Sequence, residues 1–267
     1  MKRMLILVMA ALVLVLAACG SKEASNSEGS KEAGEKADLQ LVNEGKLTFA
    51  MSGVYPPLNF KKDGQLTGFD VEIGAEIAKR IGLESNPVTN PWETIIQGLK
   101  AKKYDAIIGS MTATEERDKQ VDFTNPYYLS GAQIFVAEGN TDILSKEDLK
   151  GKTIGVIQAS TWKDMAEGLS DKVKGYPLDV NALQDLALGR IDAVITDKIV
   201  GVSAKNEGGL KIKAIGDLLN EDRVSVAVNE GNTELANKIN EAIQSMIDDG
   251  TYEKISMKWF NENIMKK

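Results

Sequence analysis

Residues 104–128 read YDAIIGSMTATEERDKQVDFTNPYY, and the rest of the chain is best interpreted outward from this stretch. It begins with the short apolar run Asp105–Ile108, which is typical of a buried strand. We expect the strand to end at Gly109, where small hydroxyl residues follow, and Arg117 to lie in the first turn of the next helix. This arrangement suits a small carboxylate, because a guanidinium matches a carboxylate in geometry and each charge-assisted hydrogen bond contributes roughly 1.5–3 kcal/mol. The spacing equally allows Arg117 to pair with a neighbouring surface acid.

The composition excludes several classes of enzyme. The chain has 267 residues, enough for two modest domains, and its 43% hydrophobic and 27% charged residues are ordinary for a globular protein. It has no histidine and one cysteine, so Ser-His-Asp and Cys-His catalysis and ordinary zinc or copper sites are impossible within it. The net charge of −7 argues against a nucleic-acid partner. We expect neither a cofactor nor a metal ion.

The N-terminus predicts secretion. Residues 1–18 carry two basic residues ahead of a short apolar run, which is typical of a signal peptide rather than a membrane-spanning helix. The sequence LAAC that ends at Cys19 resembles the lipobox of bacterial lipoproteins, which implies a diacylglyceryl group on the Cys19 sulfur and an anchor on the extracytoplasmic face of the cell membrane. The alternative is plain secretion with a free thiol. Residues 19–38 are predicted to be the lipidated cysteine and a flexible tether rich in Ser, Gly, Glu and Lys.

Two similar segments predict two lobes of similar build. Residues 99–110 align without gaps on residues 186–197, and in both a helix end is followed by a basic residue, an Asp-Ala turn and a short apolar strand. Helices that alternate with short apolar runs are typical of mostly parallel sheets with crossover helices. We therefore expect an α/β protein with two lobes, each a mostly parallel sheet flanked by helices.

The lobe boundaries follow from two strand-like segments. Residues 132–136 are predicted to leave the first lobe and residues 224–228 to return to it, as two hinge strands on which the lobes can close. Lobe 1 is then predicted to comprise residues 39–134 and 226–267, and lobe 2 residues 135–225.

The strand ends predict a ligand site. In open sheets of this kind, ligands bind beyond the carboxyl ends of the strands. Ser110, Thr112 and Arg117 follow a strand end in the first lobe, whereas residues 158–161 and Asp197 lie at strand ends in the second. A cation on one lobe and an anion on the other are complementary to a ligand with both a carboxylate and an ammonium group. Asp197 by itself could instead be a helix cap or a surface acid.

Several separated motifs resemble those of polar amino-acid-class solute-binding proteins, the extracytoplasmic receptors of bacterial ABC importers. They are GFDVE at 68–72, GSMTATEER at 109–117, VDFTNPYY at 121–128, GK at 151–152 with GV at 155–156, and GRIDA at 189–193. The resemblance runs from about Gly45 to the C-terminus. It implies a two-lobed periplasmic-binding-protein-like fold that captures a free amino acid and delivers it to a membrane permease, as a monomer without enzymatic activity.

The resemblance also implies a set of ligand-binding residues. In this set Arg117 binds the α-carboxylate with Thr112 and the backbone around it, and the second lobe reaches the same carboxylate. Asp197 receives the α-ammonium. The full set is Ser52, Tyr55, Trp92, Gly109, Ser110, Met111, Thr112, Arg117, Ser160, Thr161 and Asp197.

The nature of the ligand side chain is predicted from three of these residues. By resemblance, Tyr55 and Trp92 sandwich the ligand, although Trp92 could also be a buried structural residue, and Ser52 touches the ligand side chain. None of the three carries a formal charge, so we expect a neutral polar or sulfur-containing amino acid such as glutamine or cystine. Tight binding of arginine through contacts to an acid would overturn this expectation. Ala159 departs from the glycine common in the family, which leaves the conformation of its loop uncertain.

Three other functions would require features of their own. An enzyme on the same fold, similar to a cyclohexadienyl dehydratase, would need a carboxylate with a raised pKa as its acid–base group, and no residue is marked as one. The sensor module of a signalling receptor would need a membrane helix and a cytoplasmic domain after the module. For an adhesin, the convergence of Arg117 and Asp197 would be a coincidence.

Overall fold

The computed structural model describes residues 39–265. The predicted signal peptide, Cys19 and the tether that follows it lie outside the described residues. Among the residues described, no helix has both the length and the apolar character needed to cross a membrane.

Short strands and helices alternate along the described chain. The strands are β1 (Lys46–Met51), β2 (Val54–Tyr55), β3 (Asn59–Lys62), β4 (Gln65–Thr67), β5 (Glu84–Thr89), β6 (Ala106–Thr112), β7 (Val121–Ser130), β8 (Ala132–Ala137), β9 (Thr153–Ile157), β10 (Lys172–Tyr176), β11 (Ala193–Asp197), β12 (Ile212–Ile215) and β13 (Asp222–Asn229). The α-helices are α1 (Phe69–Arg80), α2 (Ile95–Lys100), α3 (Glu115–Asp118), α4 (Trp162–Leu169), α5 (Asp179–Ala187), α6 (Lys198–Asn206), α7 (Thr233–Asp248) and α8 (Thr251–Phe260). Two 3-10 turns cover Trp92–Thr94 and Lys146–Leu149.

Two five-stranded sheets form the centres of the two lobes, which confirms the predicted two-lobed α/β fold. The first has the order β5-β1-β6-β13-β7 and the second the order β10-β9-β11-β8-β12, while β2, β3 and β4 form a small separate sheet. In each large sheet four strands run in one direction and one strand, β13 or β8, is antiparallel to both of its neighbours. The reversed strand of each sheet is the one that the chain enters on crossing from the other lobe.

The internal repeat has a structural counterpart. β6 and β11, the strands of the two aligned segments, occupy the same position in their sheets, each beside a parallel central strand. In the first sheet Phe49 of β1 is paired with Ala106, and in the second Ile154 of β9 is paired with Ala193. The two lobes are therefore built on one topology, with their carboxyl strand ends available for a shared ligand site.

The chain changes sheets at Gly131, between β7 and β8, and again between β12 and β13. The predicted divisions after residues 134 and 225 fall inside β8 and β13, and each of these strands pairs within a single sheet. The two crossings touch: the Ala132 amide donates to Asn220 Oδ1 at 2.8 Å, and a Cβ at Gly131 would overlap the backbone oxygen of Asn220. Glycine is needed at position 131 because the second crossing passes against it.

Helical periodicity predicts the packing of the first lobe correctly. Ile73 and Ile77 of α1 are fully buried, and Gly74 lies where a Cβ would meet the Phe49 ring of β1. The C-terminal α7 packs on β7 and α1, and it buries the apolar face that repeats at three- and four-residue intervals in the sequence, Leu235, Ile239, Ile243 and Met246. Each such side chain contributes roughly 1.5–3 kcal/mol when fully buried.

Candidate functional site

A cleft of about 390 Å³ lies between the two lobes. The predicted site residues that line it are Ser52, Tyr55, Trp92, Gly109, Ser110, Thr112, Arg117, Ser160 and Thr161. Its other lining residues are Val54, Thr89, Asn90, Pro91, Glu93, Ile157, Trp162, Pro177, Leu178 and Asp179. Met111 and Asp197 of the predicted set do not line it.

Arg117 is held in the cleft by its own helix turn and by Trp92. The Arg117 amide donates to the capping hydroxyl of Thr114 at 3.2 Å, and its guanidinium donates to the Thr112 carbonyl at 2.9 Å. The guanidinium carbon lies 5.5 Å from the centre of the Trp92 ring. Burial lowers the pKa of Arg117, but an arginine stays protonated in proteins and its fork has five N–H donors. Within residues 39–265 it forms no ion pair, so the guanidinium retains donors for a carboxylate.

The strand that carries the hydroxyl residues is longer than expected. β6 continues past Gly109 to Thr112, because Met111 and Thr112 pair with β13 across a bulge. Met111 is buried in the core of lobe 1. Ser110 takes up the irregularity with a φ of 62°, in the left-handed region. The predicted strand end at Gly109 is therefore wrong, and β6 reaches the cleft at Ser110 and Thr112.

Ser110 is bound to a buried network rather than left available for ligand. Its amide donates to the Tyr127 hydroxyl at 2.9 Å and its own hydroxyl donates to Asp70 at 2.8 Å. Asp70 also accepts from Tyr127 at 2.8 Å and from Asn59 at 2.7 Å. Burial raises the pKa of Asp70, while these three donors oppose the rise. The network fixes the turn of β6 beside the cleft, and the sequence had indicated Asp70 only as part of a motif.

The second lobe presents the N-terminus of α4 to the cleft. Thr161 is the N-cap residue, but its hydroxyl makes no capping hydrogen bond, whereas the Ser160 hydroxyl donates to the Ile157 carbonyl at 2.8 Å. Backbone N–H groups at a helix N-terminus favour an anion. Ala159, in place of the family's glycine, has a φ of 59°, and its carbonyl accepts a hydrogen bond of 3.4 Å from the Trp92 indole of lobe 1. The two lobes thus meet at the cleft.

Asp197 lies behind the cleft at the end of β11. It is 3% exposed and caps α6, and one of its oxygens accepts from the Ile199 amide at 2.7 Å and from the Ser130 hydroxyl at 2.8 Å. The pKa of Asp197 is raised to about 7, mainly by burial and also by the nearby Asp222 and Asp179 carboxylates, against the opposing hydrogen bonds from Ser130 and Ile199. Asp197 therefore acts as a helix cap in this structure, which is the alternative that the sequence left open. Its binding of an ammonium group stays a prediction.

Tyr55 joins the two lobes at the base of the cleft. It packs against two core clusters, one formed by residues of both lobes and one formed by residues of lobe 2. Burial of its hydroxyl end raises the pKa of Tyr55 well above the usual value, and the carboxylates of Asp179 and Asp197 act in the same direction. Ser52, near it, donates to Asn59 Oδ1 at 3.0 Å. The cleft is therefore lined by an aromatic side chain at Tyr55, and the carboxylates of Asp179 and Asp197 lie near the Tyr55 hydroxyl.

Asp179 is the buried acid among the lining residues that the sequence did not indicate. It is 8% exposed and begins α5, directly beyond the carboxyl end of β10. Asp197 was indicated because it follows a predicted strand end. Asp179 also follows a strand end, but the polar sequence of β10 does not predict a strand. Among the described residues, no cluster of acids, cysteines or histidines could hold a metal ion.

Comparison with known proteins places both lobes in one family. The model of the family described as bacterial extracellular solute-binding proteins, family 3, matches residues 47–262. The L-cystine-binding protein TcyJ of Escherichia coli (strain K12) is 34% identical over 241 residues, covering 86% of this chain and 90% of that protein. The arginine-binding extracellular protein ArtP of Bacillus subtilis (strain 168) is 33% identical over 264 residues, covering 97% and 98%. An ancestral arginine-binding protein bound to glutamine has a solved structure that is 40% identical, with a TM-score of 0.77, covering 82% of this chain and 100% of that one.

These relatives are named as binding proteins and not as enzymes. The family match runs from β1 to the end of α8 and so includes every strand of both large sheets. The chain belongs to family 3 of the bacterial extracellular solute-binding proteins.

Proposed function

We propose that this chain captures one free amino acid between its two lobes and delivers it to the permease of an ABC importer. The observation that carries the proposal is the position of Arg117, which lines the cleft between the lobes and forms no ion pair among the described residues. A partly buried cation with donors directed to a cavity is stabilised by an anionic group that enters it. The α-carboxylate of an amino acid supplies that group.

The carboxylate is bound from both lobes. Arg117 and the Thr112 hydroxyl act from lobe 1, while Thr161 and the first N–H groups of α4 act from lobe 2. The Ser160 and Ser110 hydroxyls, which are used within their own loops, position the backbone. Closure around the ligand removes water from these contacts and thereby strengthens them.

Asp197 receives the α-ammonium. Its carboxylate is buried at the lobe crossing, where one oxygen is used by Ser130 and Ile199 and the other is the candidate acceptor. An ammonium group beside it favours the ionised form, against the burial that raises the pKa of Asp197. The charge on the ligand therefore compensates an unfavourable charge of the protein.

The cargo is proposed to be a neutral polar or sulfur-containing amino acid, such as glutamine or cystine. Half-buried Tyr55 and Trp92 line the cleft from lobe 1 and are placed to sandwich a side chain. Cystine and glutamine are also named for two of the similar proteins, TcyJ and the ancestral protein. The chain is further proposed to be a monomer, anchored on the extracytoplasmic face of the membrane by a lipid on Cys19.

A thermal-shift screen of the purified protein against the twenty amino acids and cystine tests the function. A ligand at about 100 times its Kd stabilises the folded state by about 2.7 kcal/mol, which raises the melting temperature. We expect a clear shift with at least one amino acid and a markedly smaller shift with the same ligand added to Arg117→Ala. Absence of any shift would contradict amino-acid capture. The dehydratase alternative predicts product from a prephenate-like acid, and we expect none.

A further inference from the structure

The cleft contains an acid that the proposed function does not use. The charged residues that line it are Arg117, Glu93 and Asp179. Glu93 is exposed to solvent, so its charge is screened by water and salt. Asp179 is 8% exposed, so water and salt screen its interaction with a bound ligand far less. The expectation of a neutral ligand side chain rested on the premise that no further acid belongs to the cleft, and that premise does not hold.

Asp179 lies in the first turn of α5, where the helix N-terminus favours its charge, but it is not the cap of that helix. Acids at the start of a helix often act as caps, but the N-cap of α5 is Leu178 and no side chain caps it. The Asp179 carboxylate instead accepts a hydrogen bond from the Thr196 hydroxyl on β11. Within residues 39–265 no lysine or arginine forms an ion pair with Asp179. One oxygen is thus anchored, and the carboxylate is held rigidly at the wall of the cleft.

The Thr196 contact brings Asp179 next to Asp197. Thr196 and Asp197 are consecutive at the end of β11, so the two carboxylates lie on either side of this strand end. Each raises the pKa of Tyr55, and Asp179 raises that of Asp197. Two buried carboxylates without cations are costly for a protein. A single α-ammonium compensates one of them.

We propose that Asp179 selects the ligand by accepting a second cationic group, one carried by the side chain of the amino acid whose α-ammonium is bound by Asp197. This inference rests on the proposed function and deepens it. The required chemistry is a second ammonium or a guanidinium, which both L-cystine and L-arginine possess and L-glutamine lacks. Of the two cargoes proposed above, Asp179 favours cystine over glutamine. A basic amino acid such as L-arginine is the other ligand that would supply a second cationic group.

Paired ligands test the proposal on the wild-type protein by titration calorimetry. L-Arginine is compared with L-citrulline, its neutral isostere, and L-cystine with the mixed disulfide of L-cysteine and 3-mercaptopropionate, which lacks the second ammonium. Loss of one charge-assisted hydrogen bond corresponds to roughly a tenfold to hundredfold loss of affinity. In at least one pair we expect the ligand with the second cationic group to bind more tightly by this factor. The pair that shows this preference identifies the source of the cation.

The variant Asp179→Asn tests the residue itself. We expect the preferred dicationic ligand to lose at least about tenfold in affinity, whereas L-glutamine or L-citrulline changes by less than about threefold. Glu93→Gln is the matched control, because it removes the other acidic charge of the cleft from an exposed position. Its effect on the dicationic ligand is expected to be smaller than that of Asp179→Asn.

Several results would overturn the proposal. Equal loss of neutral and dicationic ligands in Asp179→Asn would make Asp179 the acceptor of the α-ammonium or a structural residue. No preference in either wild-type pair would exclude a role for a second cation even if the variant fails to fold. In both cases amino-acid capture itself would stand. Failure of every amino acid to bind the wild-type protein would instead remove the proposed function.

Discussion

At the scale of the residue, Arg117 is the most direct test of the site. We expect Arg117→Ala to weaken amino-acid binding by at least tenfold, since it removes about 1.5–3 kcal/mol per charge-assisted hydrogen bond. The fold should persist, because within the described part of the chain the guanidinium forms no ion pair, donates to the Thr112 carbonyl and lies against the Trp92 ring. Calorimetry measures the affinity and a thermal melt the fold.

The matched control for that variant is Arg190→Ala. Arg190 forms an ion pair with Asp185 at 2.9 Å, and its side chain is 65% exposed. Since an exposed pair contributes about 0–1 kcal/mol to stability, we expect its removal to leave binding unchanged. Equal affinity losses in the two variants would indicate a general effect of positive charge rather than a carboxylate site at Arg117.

Asp197 makes binding depend on pH. Burial raises its pKa to about 7, and Asp222 and Asp179 act in the same direction. Because this value lies above the ordinary value of about 3.9, the folded ligand-free protein retains a proton that the unfolded chain has lost, and its stability falls as pH rises through that window. An ammonium requires the ionised carboxylate, so affinity should rise from about pH 5 and level off above about pH 7. Calorimetry across this range checks it, and a flat profile in the wild-type protein would exclude Asp197 as the acceptor.

Residue types and spacing suffice to find Arg117 but not Asp179. Arg117 follows a strand at short range, within a motif that the chain carries intact. Asp179 becomes a cleft residue through its hydrogen bond with Thr196 and through the approach of the two lobes. Both depend on contacts between distant parts of the chain, which local patterns do not contain.

At the scale of the element, the sequence predicts the existence of elements better than their ends. The mostly apolar residues 47–51 are typical of a strand and lie in β1, and the helical repeat of apolar residues in α7 is its buried face. β6 continues beyond Gly109 because β13, distant in the sequence, pairs with it. The order Asn90-Pro91 favours a helix capped by Asn90, but the side-chain amide of Asn90 donates to Pro91 and Thr94, and the segment starts as a 3-10 turn. Tertiary pairing decides where these elements begin and end.

The first crossing supplies a prediction at this scale. Gly131→Ala would place a Cβ against the backbone oxygen of Asn220 in the second crossing, and backbone cannot move aside as a side chain does. We expect the variant to lose about 1–3 kcal/mol of stability, the usual effect of overpacking, measured by urea denaturation. Gly139→Ala, where a Cβ would meet nothing within 4 Å, should be neutral or slightly stabilising. An unchanged unfolding midpoint for Gly131→Ala would mean that the crossings separate easily.

At the scale of the whole molecule, the two lobes share a topology that the repeat in the sequence reveals in part. Residues 99–110 and 186–197 predict matching strands, and β6 and β11 occupy matching positions. The alignment does not reveal where the chain crosses between the lobes. The predicted boundaries at 134 and 225 therefore fall inside β8 and β13, because a strand and a hinge have the same apolar pattern.

The charges of the cleft predict that the ligand controls the distance between the lobes. Arg117, Asp179 and Asp197 are partly or fully buried and form no ion pair among residues 39–265, and burial of uncompensated charge favours opening to water. Direct contact at the cleft is modest, with the Trp92 indole 3.4 Å from the Ala159 carbonyl. A zwitterion compensates the charges and so favours closure by its differential affinity for the closed state.

We therefore expect the radius of gyration from small-angle X-ray scattering to decrease when the preferred amino acid is added to the ligand-free protein. Arg117→Ala should retain the larger value at a ligand concentration that closes the wild-type protein, because the carboxylate contact that joins the lobes is lost. Trp92→Phe should still contract, since it keeps an aromatic ring against the ligand and loses only the hydrogen bond to Ala159. A radius that does not respond to ligand in the wild-type protein would mean that contacts outside the cleft, such as the hydrogen bond of 3.3 Å between the Trp162 indole and Asp222, hold the lobes together regardless of cargo.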